Sequence, residues 1–137
     1  MSKAEPTIQK YMATAPFSVE AKESLKTAAD LMAKQQIRHL PVTNKGALVG
    51  LVSDRDIKFA LGFSKIDPKT LPVIDICHED PYKVEPDAPL SEVATVMAEK
   101  HYGSALVVQN GKLVGIFTTV DACRALNDIL QMRFHAH

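Results

Sequence analysis

Two segments of the sequence place a glycine, a hydroxyl residue and an aspartate at the same spacing: they are Gly50-Leu51-Val52-Ser53-Asp54-Arg55-Asp56 and Gly115-Ile116-Phe117-Thr118-Thr119-Val120-Asp121. If a helix begins after the hydroxyl residue, that residue and the Asp three positions later form a capping box, in which each side chain accepts a hydrogen bond from the other residue's backbone N–H. The same place suits a ligand, because a helix N-terminus attracts anions and a carboxylate accepts hydrogen bonds from a ribose diol. A cap and a binding site can coexist, so both interpretations stay open.

These segments belong to a longer internal repeat. The offset from Gly50 to Gly115 is 115 − 50 = 65 residues. Without a gap, the same offset aligns Pro16 with Pro81, Leu25 with Leu90, Met32 with Met97, Val42 with Val107, Gly46 with Gly111 and Leu61 with Leu126. One register held over so long a stretch indicates a duplication. We therefore divide the chain into copy one (7–63), a linker (64–72), copy two (73–130) and a C-terminal tail (131–137).

Each copy predicts a short strand, a helix, a hairpin and a second helix. Apolar residues at helical spacing follow Ser24, which suits an N-cap, and glycine turns at Gly46 and Gly111 separate runs typical of strands. The second helices are expected to begin near Asp54 and Thr119. The sequence thus predicts an α/β (α+β) fold of two βαββα repeats. One repeat is too small to bury both sheet faces, so we expect the two to pack sheet to sheet with pseudo-twofold symmetry.

The composition argues against several classes of protein. Sixteen basic residues balance sixteen acidic ones, which predicts neither a nucleic-acid partner nor attraction to an anionic membrane, and no apolar run is long enough to cross a bilayer. No CxxC, HExxH, Walker loop, dinucleotide fingerprint or nucleophile elbow is present, so we expect no metal site and no enzyme activity. Cys77 and Cys123 are expected to be buried free thiols in the cytoplasm.

The doubled motif, with a preceding strand such as Leu40-Pro41-Val42 and a glycine turn in each copy, resembles the cystathionine-β-synthase (CBS) domain pair, or Bateman module, from about Thr7 to Leu130. The resemblance implies that Asp56 and Asp121 bind the ribose of an adenosine ligand. It implies further contacts from the hydroxyl residues, the residues around the preceding strand and a loop closing over the base. These are Ser53, Thr118, Ile37, Arg38, His39, Tyr102, Gly103, Ser104, Thr14 and Ala15.

The two copies differ in charge. By the resemblance, Arg38 and His39 face the phosphates of the ligand, and Arg55 adds a cation at a helix N-terminus where a guanidinium makes charge-assisted contacts. Copy two has Gly103, Ser104 and Val120 at these positions, and Glu79-Asp80 is expected to repel an anion there. The second site could be empty, could borrow Arg38 or could prefer an uncharged adenosine.

The leading hypothesis is a non-catalytic regulatory or sensor module. It would bind AMP, ADP, ATP or S-adenosylmethionine in the clefts between the repeats, need no obligatory cofactor, and signal by repeat rearrangement to an effector protein that the sequence does not identify. The resemblance also implies a homodimer formed through the helices. The alternative is a dimerisation or scaffold protein whose degenerate clefts bind no nucleotide.

Overall fold

The computed structural model describes residues 4–135, which form two compact units. The copy-one unit contains residues 17–81, and the copy-two unit contains the described residues up to 16 together with 82–135. The elements in chain order are α1 (Ile8–Tyr11), β1 (Ala13–Thr14), β2 (Val19–Glu20), α2 (Leu25–Gln35), β3 (His39–Asn44), β4 (Ala47–Ser53), α3 (Asp54–Leu61), a 3₁₀ turn (Val73–Asp75), β5 (Lys83–Val84), α4 (Leu90–Lys100), β6 (Ser104–Gln109), β7 (Lys112–Thr118) and α5 (Thr119–Phe134). The mixed α/β fold class is confirmed.

The copy-one unit is a three-stranded sheet with two helices. Strands β3 and β4 form an antiparallel hairpin, and β2 runs parallel to β3. Lys45 and Gly46 close the hairpin with φ of +52° and +86°, the conformation of a type I′ turn. Helices α2 and α3 cover a core that consists mainly of Leu25, Ala28, Met32, Leu40, Val42, Val52 and Ile57.

The copy-two unit repeats this structure. Strands β6 and β7 form the hairpin, β5 runs parallel to β6, and Asn110 and Gly111 form the positive-φ turn. The pairing shifts register at Val107, as the copy-one hairpin does at the equivalent Val42. The core consists mainly of Leu90, Val93, Met97, Ala105, Val107, Phe117 and Ala125. The duplication predicted from the sequence is therefore present in the structure.

The short segment before each repeat's first strand folds onto the hairpin of the other repeat. In the copy-two unit, β1 pairs with β7, with Ala13 opposite Ile116 and Thr14 opposite Gly115. In the copy-one unit, His78 pairs with Leu51: the N–H of Leu51 donates to the His78 carbonyl at 3.0 Å, and the N–H of His78 donates to the Leu51 carbonyl at 2.8 Å. His78 and Ala13 are equivalent by the 65-residue offset.

The two cysteines differ in burial. Cys77 is half-buried, but Cys123 is exposed, so the prediction of two buried thiols is wrong for Cys123, which lies on the outer side of α5. Among residues 4–135, none of the helices has the length and apolar character needed to cross a membrane.

Candidate functional site

The sequence motif of copy one forms a complete capping box at the start of α3. The Ser53 hydroxyl accepts a hydrogen bond from the Asp56 N–H at 3.1 Å, and Asp56 Oδ2 accepts one from the Ser53 N–H at 2.9 Å. The Asp54 N–H donates to the Arg38 carbonyl at 2.9 Å, which joins the start of the helix to the residue before β3. The capping interpretation is confirmed, and it uses only one of the two carboxylate oxygens of Asp56.

Copy two has the same box at the start of α5, but its carboxylate is more deeply buried. Asp121 Oδ2 accepts from the Thr118 N–H at 2.9 Å and lies 3.1 Å from the Thr118 hydroxyl. The Thr119 N–H donates to the Gly103 carbonyl at 3.2 Å, as Asp54 does to Arg38. Asp121 is buried, whereas Asp56 is half-buried. The copy-two carboxylate therefore contributes more of its hydrogen bonding to the fold.

The structure gathers the predicted site residues into two groups, one in each unit. In the copy-one unit, β3 and the residues before it lie beside the end of β4, and His39 is directly opposite Ser53. This group consists of Ile37, Arg38, His39, Ser53, Arg55 and Asp56. In the copy-two unit, Ser104 is directly opposite Thr118, and β1 pairs with β7. This second group consists of Tyr102, Gly103, Ser104, Thr118 and Asp121, joined by Thr14 and Ala15.

The positive charge of the copy-one group comes from its arginines. Burial lowers the pKa of His39 below that of an ordinary imidazole; Asp56 acts in the opposite direction, and Arg38 adds to the lowering. His39 is therefore neutral at neutral pH. Arg38 and Arg55 are both exposed, and among residues 4–135 neither forms a salt bridge.

His78 is a residue of the copy-one group that sequence reasoning missed. Its Nε2 lies 3.3 Å from Asp56 Oδ1, the oxygen that the capping box leaves unused. The sequence shows His78 only as part of a loop without metal-ligand spacing. Its equivalence to Ala13 is visible in the repeat, but the repeat does not indicate that the two segments exchange hairpins.

Because the segments exchange hairpins, the acidic pair Glu79-Asp80 lies in the copy-one unit. Glu79 and Asp80 were expected to repel anions from copy two, and that expectation is wrong. Both belong to the copy-one unit, because the backbone bridge between Leu51 and His78 holds this segment on β4. Glu79 contributes, after burial, to raising the pKa of the Cys77 thiol, which keeps that thiol protonated.

The copy-two group offers neutral and aromatic contacts. The Ser104 hydroxyl is buried and has no hydrogen-bond partner in the described part of the chain. Because directly opposed residues of a hairpin point to the same face, Ser104 lies on the same side as the Thr118 cap. Tyr102 stacks on Tyr82, with ring centroids 5.4 Å apart and an interplanar angle of 30°. Tyr82 was not predicted as a site residue; in copy one its position is occupied by Phe17.

Comparisons of sequence place both halves of the chain in one family. A family model described as "CBS domain" matches residues 8–62 and 73–128. Hypoxic response protein 1 of Mycobacterium tuberculosis is 30% identical over 113 residues, which cover 82% of this chain and 79% of that protein. A-adding tRNA nucleotidyltransferase of Aquifex aeolicus is 31% identical over 127 residues, but the chain spans only 15% of that enzyme's length. The similarity to this enzyme is thus confined to a small part of it.

Solved structures share the fold over nearly the whole chain. AcuB of Vibrio cholerae has a TM-score of 0.89 at 28% identity, with 98% of this chain and 99% of that chain covered. The CBS domain pair of MJ0100, in complex with 5′-methylthioadenosine and S-adenosyl-L-methionine, has a TM-score of 0.82 at 26% identity, covering 92% of this chain and 99% of that one. CBSX2 in complex with AMP has a TM-score of 0.77 at 28% identity, covering 90% and 97%.

Proposed function

Since the chain belongs to the CBS domain family, we propose that it is a non-catalytic regulatory module that binds adenosine-containing ligands and passes the resulting change to a separate effector protein. The observation that carries the proposal is the carboxylate at the start of each second helix. One oxygen of Asp56 completes the cap, and the other, Oδ1, stays outside the cap with the exposed His78 imidazole 3.3 Å away. That second oxygen is the acceptor that a ribose diol requires.

In copy one, we assign the ribose to Asp56 and the phosphates to Arg38 and Arg55. The N-terminus of α3 adds its positive potential. His39 is neutral at neutral pH, so it is assigned a hydrogen bond rather than a charge. The complex of CBSX2 with AMP supports a phosphate-bearing ligand for a site of this kind.

In copy two, we assign a ligand without phosphates, such as S-adenosylmethionine or adenosine itself. Within the described part of the chain, the only guanidinium in contact with Asp121 is that of the exposed Arg124. Its Nη1 lies 3.5 Å from Asp121 Oδ1. The unpartnered hydroxyl of Ser104 can donate to a base or a ribose, and Tyr102 offers an aromatic face. The MJ0100 pair, with 5′-methylthioadenosine and S-adenosyl-L-methionine, supports this class of ligand.

Isothermal titration with AMP, ATP and S-adenosylmethionine tests the proposal. We expect saturable binding and a rise in melting temperature, since a ligand that binds only the folded protein stabilises it. Neither heat nor a rise in melting temperature at millimolar ligand would refute the sensor function. The dimerisation or scaffold function predicted as the alternative would then remain.

We also propose a homodimer formed through α5, in a cytoplasmic protein. The copy-two unit has an apolar groove of about 400 Å³ lined by residues that include Leu90, Phe117 and Leu126. Exposed apolar side chains continue along α5, among them Ile129 and Met132. Sedimentation velocity should show a dimer that Ile129→Asp dissociates and the charge-matched control Asn127→Asp does not. A monomeric wild-type protein would refute the dimer.

A further inference from the structure

The two oxygens of the Asp56 carboxylate have different partners. Oδ2 accepts the Ser53 N–H at 2.9 Å as part of the capping box. Oδ1 has the His78 imidazole as its partner, with Nε2 at 3.3 Å. The Asp56 side chain is only 21% exposed, so a ligand has limited access to it. The oxygen best placed to receive a ribose hydroxyl is therefore the one that His78 contacts.

The backbone of His78 is held while its side chain faces solvent. Two hydrogen bonds with Leu51, of 2.8 and 3.0 Å, fix the backbone on β4. The chain can approach so closely because residue 50 is glycine: a Cβ there would lie 2.8 Å from the His78 carbonyl oxygen and 2.5 Å from Cys77 Sγ. The His78 side chain is nevertheless 69% exposed. Moving the imidazole away from Asp56 therefore requires a side-chain rotation and no change in strand pairing.

Copy two provides an internal comparison, because its equivalent of His78 is Ala13. Ala13 pairs with Ile116 as His78 pairs with Leu51, but its methyl group cannot contact a carboxylate as an imidazole does. The contact to Asp121 Oδ1 comes instead from Arg124, which lies on the same helix and is 77% exposed. The contact from the exchanged segment is thus specific to copy one.

We propose that His78 limits the ligand affinity of the copy-one site, where it competes with the ribose diol for Asp56 Oδ1. In the ligand-free protein the imidazole occupies the ribose acceptor, and a bound nucleoside displaces it. Every ligand that binds through its ribose bears the cost of this displacement, with or without phosphates. His78 therefore lowers the affinity of copy one for adenosine and for nucleotides alike, and the phosphate contacts of Arg38 and Arg55 set the difference between these ligands. The inference rests on the proposed function.

The test introduces His78→Ala into two background variants. This substitution gives copy one the alanine that copy two has at the equivalent position. Asp121→Asn weakens the copy-two site and isolates copy one, whereas Asp56→Asn isolates copy two. In the first background, we expect His78→Ala to tighten adenosine binding about two- to five-fold, the size of a solvent-exposed side-chain contact. In the second background, adenosine binding should not change. Melting temperatures near those of the parent proteins will show that the variants fold.

The outcomes separate the inference from the proposed function. If the wild-type protein binds no adenosine derivative, the proposed function fails and the inference fails with it. If it binds them but His78→Ala leaves the adenosine affinity of copy one unchanged or weaker, only the inference is overturned. A second measurement uses only the wild-type protein: adenosine should shift the NMR signals of the His78 imidazole. Unshifted signals at saturating adenosine would also overturn the inference.

Discussion

Removing the two motif aspartates one at a time should produce opposite rankings for stability and for nucleotide binding. Asp121 is the more buried of the two, and its Oδ2 is close to both the N–H and the hydroxyl of Thr118. Asp56 is half-buried, and its Oδ2 accepts only the Ser53 N–H. Asp121→Ala should therefore lower the free energy of unfolding more, and Asp56→Ala should lower the AMP affinity more.

The expected stability losses follow from the caps. Asp56→Ala removes one capping hydrogen bond at a half-exposed helix end, which costs about 1 kcal/mol. Asp121→Ala removes the equivalent bond and the contact with the Thr118 hydroxyl at a more buried carboxylate, for a total of about 2 kcal/mol. For a chain of this size each kcal/mol lowers the melting temperature by about 3–4 °C. We thus expect decreases of about 3 °C and about 7 °C, measured by thermal unfolding without ligand.

The variant Asp56→Asn separates the loss of nucleotide binding from the loss of the helix cap. Asp56→Asn keeps an oxygen that can accept the Ser53 N–H, but it removes the charge that strengthens a hydrogen bond from ribose. A hydrogen bond to a charged group contributes about 1.5–3 kcal/mol, so AMP affinity should fall about 10- to 100-fold while the melting temperature changes little. Asp121→Asn is the matched control and should spare AMP binding. An Asp56→Asn protein that binds AMP like the wild type, or equal AMP losses for the two variants, would refute the reasoning.

Three further predictions concern charge, pH and a turn. Arg38→Ala should weaken AMP binding about ten-fold and spare adenosine in calorimetric titrations; equal losses would show that Arg38 is not a phosphate contact. Because the pKa of His39 is lowered in the folded protein, the unfolded chain takes up its proton first, so the free energy of unfolding should fall as the pH decreases below about 6.5. His39→Ser, the copy-two residue at this position, should reduce that fall in urea titrations, and an unchanged pH profile would contradict the pKa shift. Lys45 has a φ of +52°, which Asn tolerates better, so Lys45→Asn should raise the stability by about 0.5 kcal/mol and Asn110→Lys should lower it, as thermal unfolding can show.

The features that the sequence predicted correctly depend on neighbours along the chain. A capping box joins residues three apart, and a two-residue turn needs only adjacent positions with positive φ. The starts of α3 at Asp54 and of α5 at Thr119 therefore agree with prediction, as does the Ser24 cap of α2. The repeat register strengthened these predictions, because each local pattern occurs twice.

The features that the sequence did not predict depend on pairing between distant segments. The repeat register shows that Met12-Ala13 and Cys77-His78 are equivalent, but it does not say which hairpin each of them joins. A two-residue strand such as β1 has too little sequence to favour one partner over the other. The placement of Glu79-Asp80 was wrong for this reason, and the contact between His78 and Asp56 was missed for the same reason.

The glycine that opens each motif connects the fold to the difference between the two sites. Gly50 and Gly115 are the positions where an exchanged segment crosses its hairpin: a Cβ would collide with Cys77 at the first and with Met12 at the second. The glycine thus determines that a segment crosses, and the segment determines what side chain reaches the carboxylate. In copy one this side chain is the imidazole of His78, and in copy two the equivalent residue is Ala13. Two nearly identical motifs can therefore differ in ligand affinity through a residue that lies outside both of them.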